Sequence, residues 1–312
     1  MSTLIRMDTP IIQSLLPILL KDRSTNGNIV WATDSYSHHG NGYYAQDELT
    51  VLTVNSLCKN ELQPRVYKSA LARKNRTKTK AEVFTPSWIC NMMNNSADEQ
   101  WFGKKNVFNV ENEDNTWRSK GGRIGFSDEK RKTWQDYVLS RRIEITCGEA
   151  PYLVSRYDTT TGKLIRVSKR IGMLDRKLRV VGENTSTEEE WFEWVVKAYQ
   201  STYGYEFQGD NLLIARINLM LTFLDYSKHK WGREPAPEQL KTIAKIISWN
   251  VWQMDGLSFT VPFGETKSDD LKHTAGGPGY CAANEKIYAK IRNWRNGKSA
   301  RTLYFKDLQK GK

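Results

Sequence analysis

Three acidic residues each lie at the end of a segment that the sequence predicts to be a β-strand. Glu144 lies in "RRIEITCGEAPYL", Glu206 ends "YGYEF", and Asp255 follows "NVWQM". In an open α/β sheet the carboxyl ends of the strands meet at one edge, where ligands bind. A carboxylate at that edge can accept hydrogen bonds from an amine, a ribose diol or an exocyclic amino group. Such residues also serve as helix caps and surface charges, so the spacing alone leaves both interpretations open.

The segments around these residues predict an α/β fold. "STEEEWFEWVVKAYQ" is typical of a helix with glutamates in its first turn, where they suit the helix dipole. "GDNLLIARINLMLTFLDY" has apolar residues at three- and four-residue steps, which predicts a second helix. "EQLKTIAKIISWNVWQMDGL" predicts a helix that passes into a strand. After residue 140 the order is strand, loop, helix, strand, helix, strand, as in an α/β sheet.

Composition narrows the class of partner. The chain has 312 residues, with 47 Lys and Arg against 35 Asp and Glu and a formal net charge of +12. This balance favours a polyanionic partner such as nucleic acid. The scattered cysteines and histidines predict neither a zinc site nor a disulfide framework. No apolar run approaches the roughly 18 residues of a membrane span, so we expect a cytoplasmic protein with no membrane partner.

The densest basic run lies in "YKSALARKNRTKTKAEVFTP". It contains Arg73, Lys74, Arg76 and Lys78, and it forms either a solvated flexible loop or an arm that contacts DNA phosphates. We predict an N-terminal extension over residues 1–80 that carries this basic arm. An α/β domain follows over residues 81–312, with an irregular insertion rich in Trp, Asn, Gly and charge at about 96–136.

Four segments, taken in order, resemble a known family. "AEVFTPSWICNMMNN", "EITCGEAPYL", "YGYEFQGDNLLIARINLML" and "NVWQMDGLSFTVPFG" are similar to the motifs of N6-adenine DNA methyltransferases of the restriction-modification type. The resemblance covers roughly residues 80 to 264. It implies a Rossmann-like fold that binds S-adenosylmethionine and acts on or binds DNA adenine. The residues that follow Gly264 are too few for the family's remaining strands, which implies a fold incomplete at the C-terminus.

The resemblance also implies a role for each matching residue. Thr85, Pro86 and Trp88 would lie beside the methionine part of S-adenosylmethionine. Glu144 and the backbone from Gly148 to Ala150 would hold its amino acid portion. Glu206 would bind the ribose hydroxyls, and Asp255 would bind the adenine amino group.

Two motifs depart from the family pattern. Glu149 and Ala150 replace a serine and a glycine, and alanine fits that place if its φ is negative. Thr260, Val261, Pro262 and Phe263 replace Asn-Pro-Pro-Phe. The resemblance assigns catalysis to Thr260, Pro262 and Phe263, with the aromatic ring stacking on a flipped base. Threonine cannot supply the acceptor geometry that asparagine offers to the target amino group.

Three functions therefore compete. The first is a methyltransferase acting on DNA adenine. The second is a catalytically inactive module that binds cofactor or DNA and needs a partner chain, such as a specificity or restriction subunit. The third is a nuclease using Glu144, Asp158 and Lys163, for which the spacing specifies no metal ligands.

Overall fold

The computed structural model describes residues 4–80, 82–83, 85–126, 132–265, 286–294 and 300–310. Within these ranges the chain is a mixed α/β protein with helices and small sheets. The helices, in chain order, are α1 Pro10–Leu19, α2 Val51–Leu57, α3 Ala70–Lys80, α4 Ser87–Phe102, α5 Trp134–Leu139, α6 Met173–Asn184, α7 Glu188–Gln200, α8 Gly209–Trp231 and α9 Pro237–Asn250. In the described part of the chain, no helix combines the length and the apolar character needed to cross a membrane.

The strands form one parallel sheet and several antiparallel pairs. They are β1 Asn109–Glu111, β2 Trp117–Ser119, β3 Arg142–Ile145, β4 Thr202–Glu206, β5 Val251–Gln253, β6 Thr260–Glu265, β7 Lys286–Tyr288, β8 Lys290–Asn293 and β9 Arg301–Tyr304. β3, β4 and β5 lie side by side in that order and are all parallel. β1 pairs with β2, β6 with β7, and β8 with β9, each antiparallel.

The parallel sheet confirms the α/β class that the sequence predicts. β4 lies in the middle, and Tyr205 pairs with Ile145 on one side and with Trp252 on the other. Parallel strands need long crossovers, and here each crossover contains two helices, α6 and α7 before β4 and α8 and α9 before β5. Thr187 caps α7 by accepting a hydrogen bond from the Glu190 amide.

Helix α8 is the central helix of the core. The sequence predicts one apolar face, but every residue from Gly209 to Phe223 is buried, whichever face it lies on. Its one fully buried cation, Arg216, donates to the carbonyl oxygens of Val251 and Lys21 at 2.8 and 3.0 Å. Burial lowers the pKa of this guanidinium to about 9. Arg216 therefore ties the start of β5 and the end of α1 to α8.

The described part of residues 1–80 packs into the same core as the sheet. Leu16 and Trp31 belong to the apolar cluster that also contains Leu213 and Val251. The Gln253 side chain bonds both the amide and the carbonyl of Val30, at 2.9 and 2.8 Å. The region predicted as an insertion at 96–136 contains the end of α4 and the β1–β2 hairpin, and residues 127–131 lie outside the described ranges.

The two faces of the parallel sheet are covered differently. Helices α7, α8 and α9 contact the sheet. Tyr205, Trp252 and Met254 form a smaller cluster with Ala289 and Ile291 near the C-terminus. On β3 itself, Ile143 and Ile145 remain 41% and 65% exposed.

A glycine allows the N-terminal segment to approach α8 closely, and it supplies a stability test. A Cβ on Gly209 would collide with the backbone carbonyl oxygen of Val30. We therefore expect Gly209→Ala to lower the free energy of unfolding by about 3 kcal/mol. Gly182→Ala, where a Cβ meets open space inside α6, should instead raise it by about 0.5–1 kcal/mol. Urea unfolding measures both, and equal effects would contradict the packing of Val30 against α8.

Candidate functional site

A cleft open to solvent lies at the carboxyl ends of β3 and β4, and its empty space, open solvent included, is about 490 Å³. Three parts of the chain line it. β3 and the loop after it contribute Glu144, Thr146, Cys147, Gly148, Pro151 and Tyr152. The end of β4 and the start of α8 contribute Glu206, Gln208 and Asn211, and the segment before α4 contributes Glu82, Val83 and Thr85. Four residues of the predicted cofactor site, Thr85, Glu144, Gly148 and Glu206, thus lie together.

The loop after β3 is held against β4 by its backbone. The amide of Cys147 donates to the carbonyl of Tyr205 at 2.7 Å, which continues the sheet by one bond. Gly148 follows with a φ of +52°, a conformation that a residue with a Cβ seldom adopts. Its amide donates to Oε2 of Glu206 at 2.8 Å. Gly148 therefore makes the turn and links the loop to the predicted ribose-binding residue.

Glu144 holds the far end of the same loop. Its two carboxylate oxygens accept hydrogen bonds from the amides of Tyr152 and Leu153, at 3.3 and 3.0 Å. Burial raises the pKa of this carboxyl well above its usual range, the two amides oppose that rise, and the negative charge of Glu206 adds to it.

Glu206 is buried at the end of β4. Its Oε1 accepts from the amides of Phe207 and Gln208, at 3.0 and 3.1 Å. Burial raises its pKa although three backbone amides lower it, and Asp210 adds to the rise. The charged forms of Glu144 and Glu206 would both gain from a positive charge or from hydrogen-bond donors in the cleft.

Glu149 and Ala150, which replace a serine and a glycine of the family motif, are both buried. Glu149 accepts from the Arg65 amide at 2.6 Å and from the Tyr157 hydroxyl, so it binds the N-terminal segment and does not line the cleft. Ala150 is fully buried with a φ of +66°, whereas alanine was expected to fit there only at negative φ. This left-handed conformation costs a non-glycine residue about 1–2 kcal/mol. Ala150 belongs to the apolar core and is not among the residues that line the cleft.

A buried ion-pair network forms the wall of the cleft beside Glu82. Arg76 pairs through Nε with Glu82 at 2.6 Å and through Nη1 with Asp210 at 3.0 Å, and Lys68 also reaches Asp210 at 3.0 Å. Burial alone would raise the pKa of Asp210, but the charges of Arg76 and Lys68 hold it well below its usual range. Arg76 is only 4% exposed. The prediction that it contacts phosphate does not fit this environment.

The rest of the basic run lies on helix α3. Lys74 and Lys78 are exposed and Arg73 is half-buried. The run therefore forms neither a loop nor an extended arm. Arg76 lies on the inner side of the helix, against the cleft wall. Lys74 and Lys78 lie on the outer side, and the half-buried Arg73 lies between the two sides.

Asn211 is a lining residue that the sequence does not single out. Its Nδ2 donates to Oε2 of Glu82 at 3.2 Å, while its Oδ1 is buried and has no hydrogen-bond partner. Because Glu82 is paired with Arg65 and Arg76, reversing the amide would turn its oxygen toward a carboxylate. In the sequence, what could have indicated Asn211 is its position two residues after Gly209 in "YEFQGDN", close to the end of the predicted strand.

The other predicted cofactor residues lie outside the lining of the cleft. Pro86 is the N-cap residue of α4, and Trp88 is 37% exposed on the first turn of that helix. Asp255 accepts from the amides of Leu257 and Ser258 at 2.7 and 3.1 Å, so its carboxylate closes its own turn.

The predicted catalytic residues lie on β6. Thr260 is 8% exposed, and its hydroxyl shares a 2.7 Å hydrogen bond with Ser258. Pro262 is buried, while Phe263 is 58% exposed with a φ of +55°. β6 pairs with β7 and does not extend the parallel sheet. None of the three lines the cleft.

No family model, curated protein or solved structure matches this chain. Proposals about its function therefore rest on the geometry and the residue chemistry.

The environment of Glu149 predicts a pH dependence of stability. Burial raises the pKa of this carboxyl to about 7, partly opposed by hydrogen bonds from Tyr157 and Arg65. The folded state therefore binds the proton of the Glu149 carboxyl more tightly than the unfolded state does. The resulting contribution to the free energy of unfolding is fully present below about pH 4.5. It is lost as the pH rises through about 7, and it amounts to up to about 3 kcal/mol.

Glu149→Gln should remove this contribution. The unfolding free energy of the wild-type chain, measured by urea titration, should fall relative to that of the variant between pH 5 and pH 8. Glu113→Gln, at an exposed position, is the control and should run parallel to wild type. A Glu149→Gln curve that is also parallel would show that the carboxyl titrates normally.

Proposed function

We propose that this chain is an S-adenosylmethionine-dependent, methyltransferase-like protein of the restriction-modification type that acts on or binds DNA adenine. The observation that carries the proposal is the cleft at the carboxyl ends of two parallel strands, where Glu144, Gly148 and Glu206 lie together. In the proposed Rossmann-like fold, β3, β4 and β5 form one half of the sheet. The resemblance of four ordered motifs supports the same assignment.

The charge of the cleft favours this cofactor over a phosphorylated one. Glu82 is neutralised by Arg65 and Arg76, whereas Glu144 and Glu206 are bonded only to backbone amides. S-adenosylmethionine carries a sulfonium and an ammonium against one carboxylate, so it is cationic, and its ribose and amines are hydrogen-bond donors. Nucleotide phosphates would meet two uncompensated carboxylates. The unpartnered oxygen of Asn211 is a further acceptor for such donors.

Helix α3 supports DNA as the second ligand. Arg76, on the inner side of this helix, is bonded to Glu82 in the cleft wall. The exposed Lys74 and Lys78 and the half-buried Arg73 lie on the same helix. Lysine and arginine at phosphates release counterions and hold DNA without reading its sequence. The net charge of +12 is consistent with this role.

A cofactor- and DNA-binding module that needs a partner chain is the second candidate. Direct methylation moves the methyl carbon from sulfur to the adenine nitrogen, breaks the sulfur–carbon bond and releases a proton from that nitrogen. Thr260 has no amide oxygen to accept a hydrogen bond from the adenine amino group, as the asparagine of the family motif does. Its hydroxyl is hydrogen-bonded to Ser258. The exposed Ile143 and Ile145 on β3 offer an apolar strand to a partner. Transfer of a labelled methyl group to unmethylated DNA distinguishes this module from an active enzyme.

Calorimetry with S-adenosylmethionine tests the cofactor proposal. The full chain should bind one equivalent, and Glu206→Gln should weaken binding by about tenfold to a hundredfold because one charged acceptor is removed. Asp255→Asn should change the Kd by less than about threefold, since that carboxylate closes its own turn.

Circular dichroism checks that both variants are folded. The proposal fails if the wild-type chain binds no S-adenosylmethionine. A larger increase in Kd for Asp255→Asn than for Glu206→Gln would contradict a cofactor site in the cleft.

The salt dependence of DNA binding tests the role of α3. Replacing Arg73, Lys74 and Lys78 together with glutamine should flatten the slope of log K against log salt by up to about 3, close to one unit for each phosphate charge that is no longer neutralised. Replacing the exposed Lys228, Lys241 and Lys245 removes the same charge and serves as the control. Equal slopes for the two triple variants would refute a specific role for α3.

A further inference from the structure

His38, His39 and Glu61 form a cluster on the surface, here called the His–His–Glu cluster. Nε2 of His39 lies 2.9 Å from Oε1 of Glu61, and Nε2 of His38 lies 3.3 Å from Oε2. The three possible ligand atoms all lie within 4.8 Å of one another. We propose that this cluster binds a divalent transition-metal ion, with Zn²⁺ as the best match.

The spacing of the ligand atoms is close to that around a tetrahedral ion. Zinc holds imidazole nitrogen and carboxylate oxygen at about 2.0–2.2 Å, which places neighbouring ligand atoms roughly 3.3 Å apart. The two nitrogen–oxygen distances of 2.9 and 3.3 Å already approach this value. An ion therefore needs only small side-chain movements to enter.

The backbone on both sides of the cluster is fixed. His38 and His39 lie in a short 3₁₀ helix, Ser37–His39, directly after the buried Tyr36, whose hydroxyl donates to Asp210 at 2.9 Å. The Glu61 amide donates to the carbonyl of Leu57 at 2.9 Å, just beyond the end of α2. The ring of His39 also packs against that of Tyr43, with centroids 5.2 Å apart. The ligands are thus brought together by structure that exists without the ion.

Two imidazoles and one carboxylate are a donor set that zinc binds well and that leaves a coordination position for water. The side chains are 61%, 32% and 37% exposed for His38, His39 and Glu61, so an ion can reach them from solvent. A polar contact between such exposed side chains contributes little to stability. The sequence alone does not reveal the cluster because Glu61 is distant in the chain and no Cys-x-x-Cys or His-x₃-His spacing accompanies it.

A bound ion would cross-link the 3₁₀ helix to the segment after α2, and the residue before the 3₁₀ helix contacts the cleft-wall network. On the inner side of the 3₁₀ helix, Tyr36 bonds Asp210, which pairs with Arg76 and Lys68. The ion would therefore stabilise the backbone that supports this network. This role does not depend on the function proposed for the cleft.

Zinc binding by the full chain tests the proposal. After removal of metal with a chelator, titration with Zn²⁺ against a chromophoric competitor should show one tight equivalent. His39→Ala and Glu61→Gln should each weaken that binding by about tenfold or more. Excess Zn²⁺ should raise the Tm of the wild-type chain and leave the Tm of these two variants unchanged.

Two variants control for adventitious binding elsewhere. His229→Ala removes an exposed histidine of α8, and Cys58→Ser removes a thiol close to the cluster in the chain. Both should retain the tight equivalent. The proposal is overturned if no tight equivalent binds, or if the His39→Ala and Glu61→Gln variants bind Zn²⁺ as wild type does. Either result would leave the cluster a hydrogen-bonded surface contact only.

Discussion

The hydrogen bond from the Gly148 amide to the Glu206 carboxylate is the constraint on which the cleft depends. It joins the loop after β3 to the end of β4, and Glu144 fixes the other end of that loop through Tyr152 and Leu153. Two buried carboxylates thus hold the backbone that encloses the cleft. Their raised pKa values show that the amides offset only part of the cost of burial. A cationic ligand with several donors would offset the remainder.

The sequence predicts the parts of this site that depend on local pattern. The strand that contains Glu144, the glycine turn, and the strand that ends at Glu206 all follow from apolar alternation and turn chemistry. Because β3 and β4 are parallel neighbours, residues at their carboxyl ends meet as expected. Hydrophobic pattern also predicts α8, but not that it is buried on every side, since that depends on the segments packed around it.

Other placements depend on contacts between distant parts of the chain, and local pattern cannot predict them. Arg76 and Lys78 belong to one basic run, yet Arg76 is buried because Glu82 and Asp210 lie on its side of α3. Asp255 follows a strand as Glu206 does, but Oδ1 of its carboxylate accepts hydrogen bonds from the amides of its own turn. The N-terminal segment gives no signal of packing against the sheet. It packs there because Gln253 bonds Val30 and because Gly209 allows that backbone to approach.

A crystal structure of the chain soaked with S-adenosylmethionine tests the central claim most directly. The account predicts density for one cofactor molecule in the cleft, with its ribose hydroxyls near Glu206 and a donor group near the Oδ1 atom of Asn211. Cofactor density beside Asp255 or beside Trp88 and outside the cleft would contradict it, as would a cleft that stays empty at saturating cofactor.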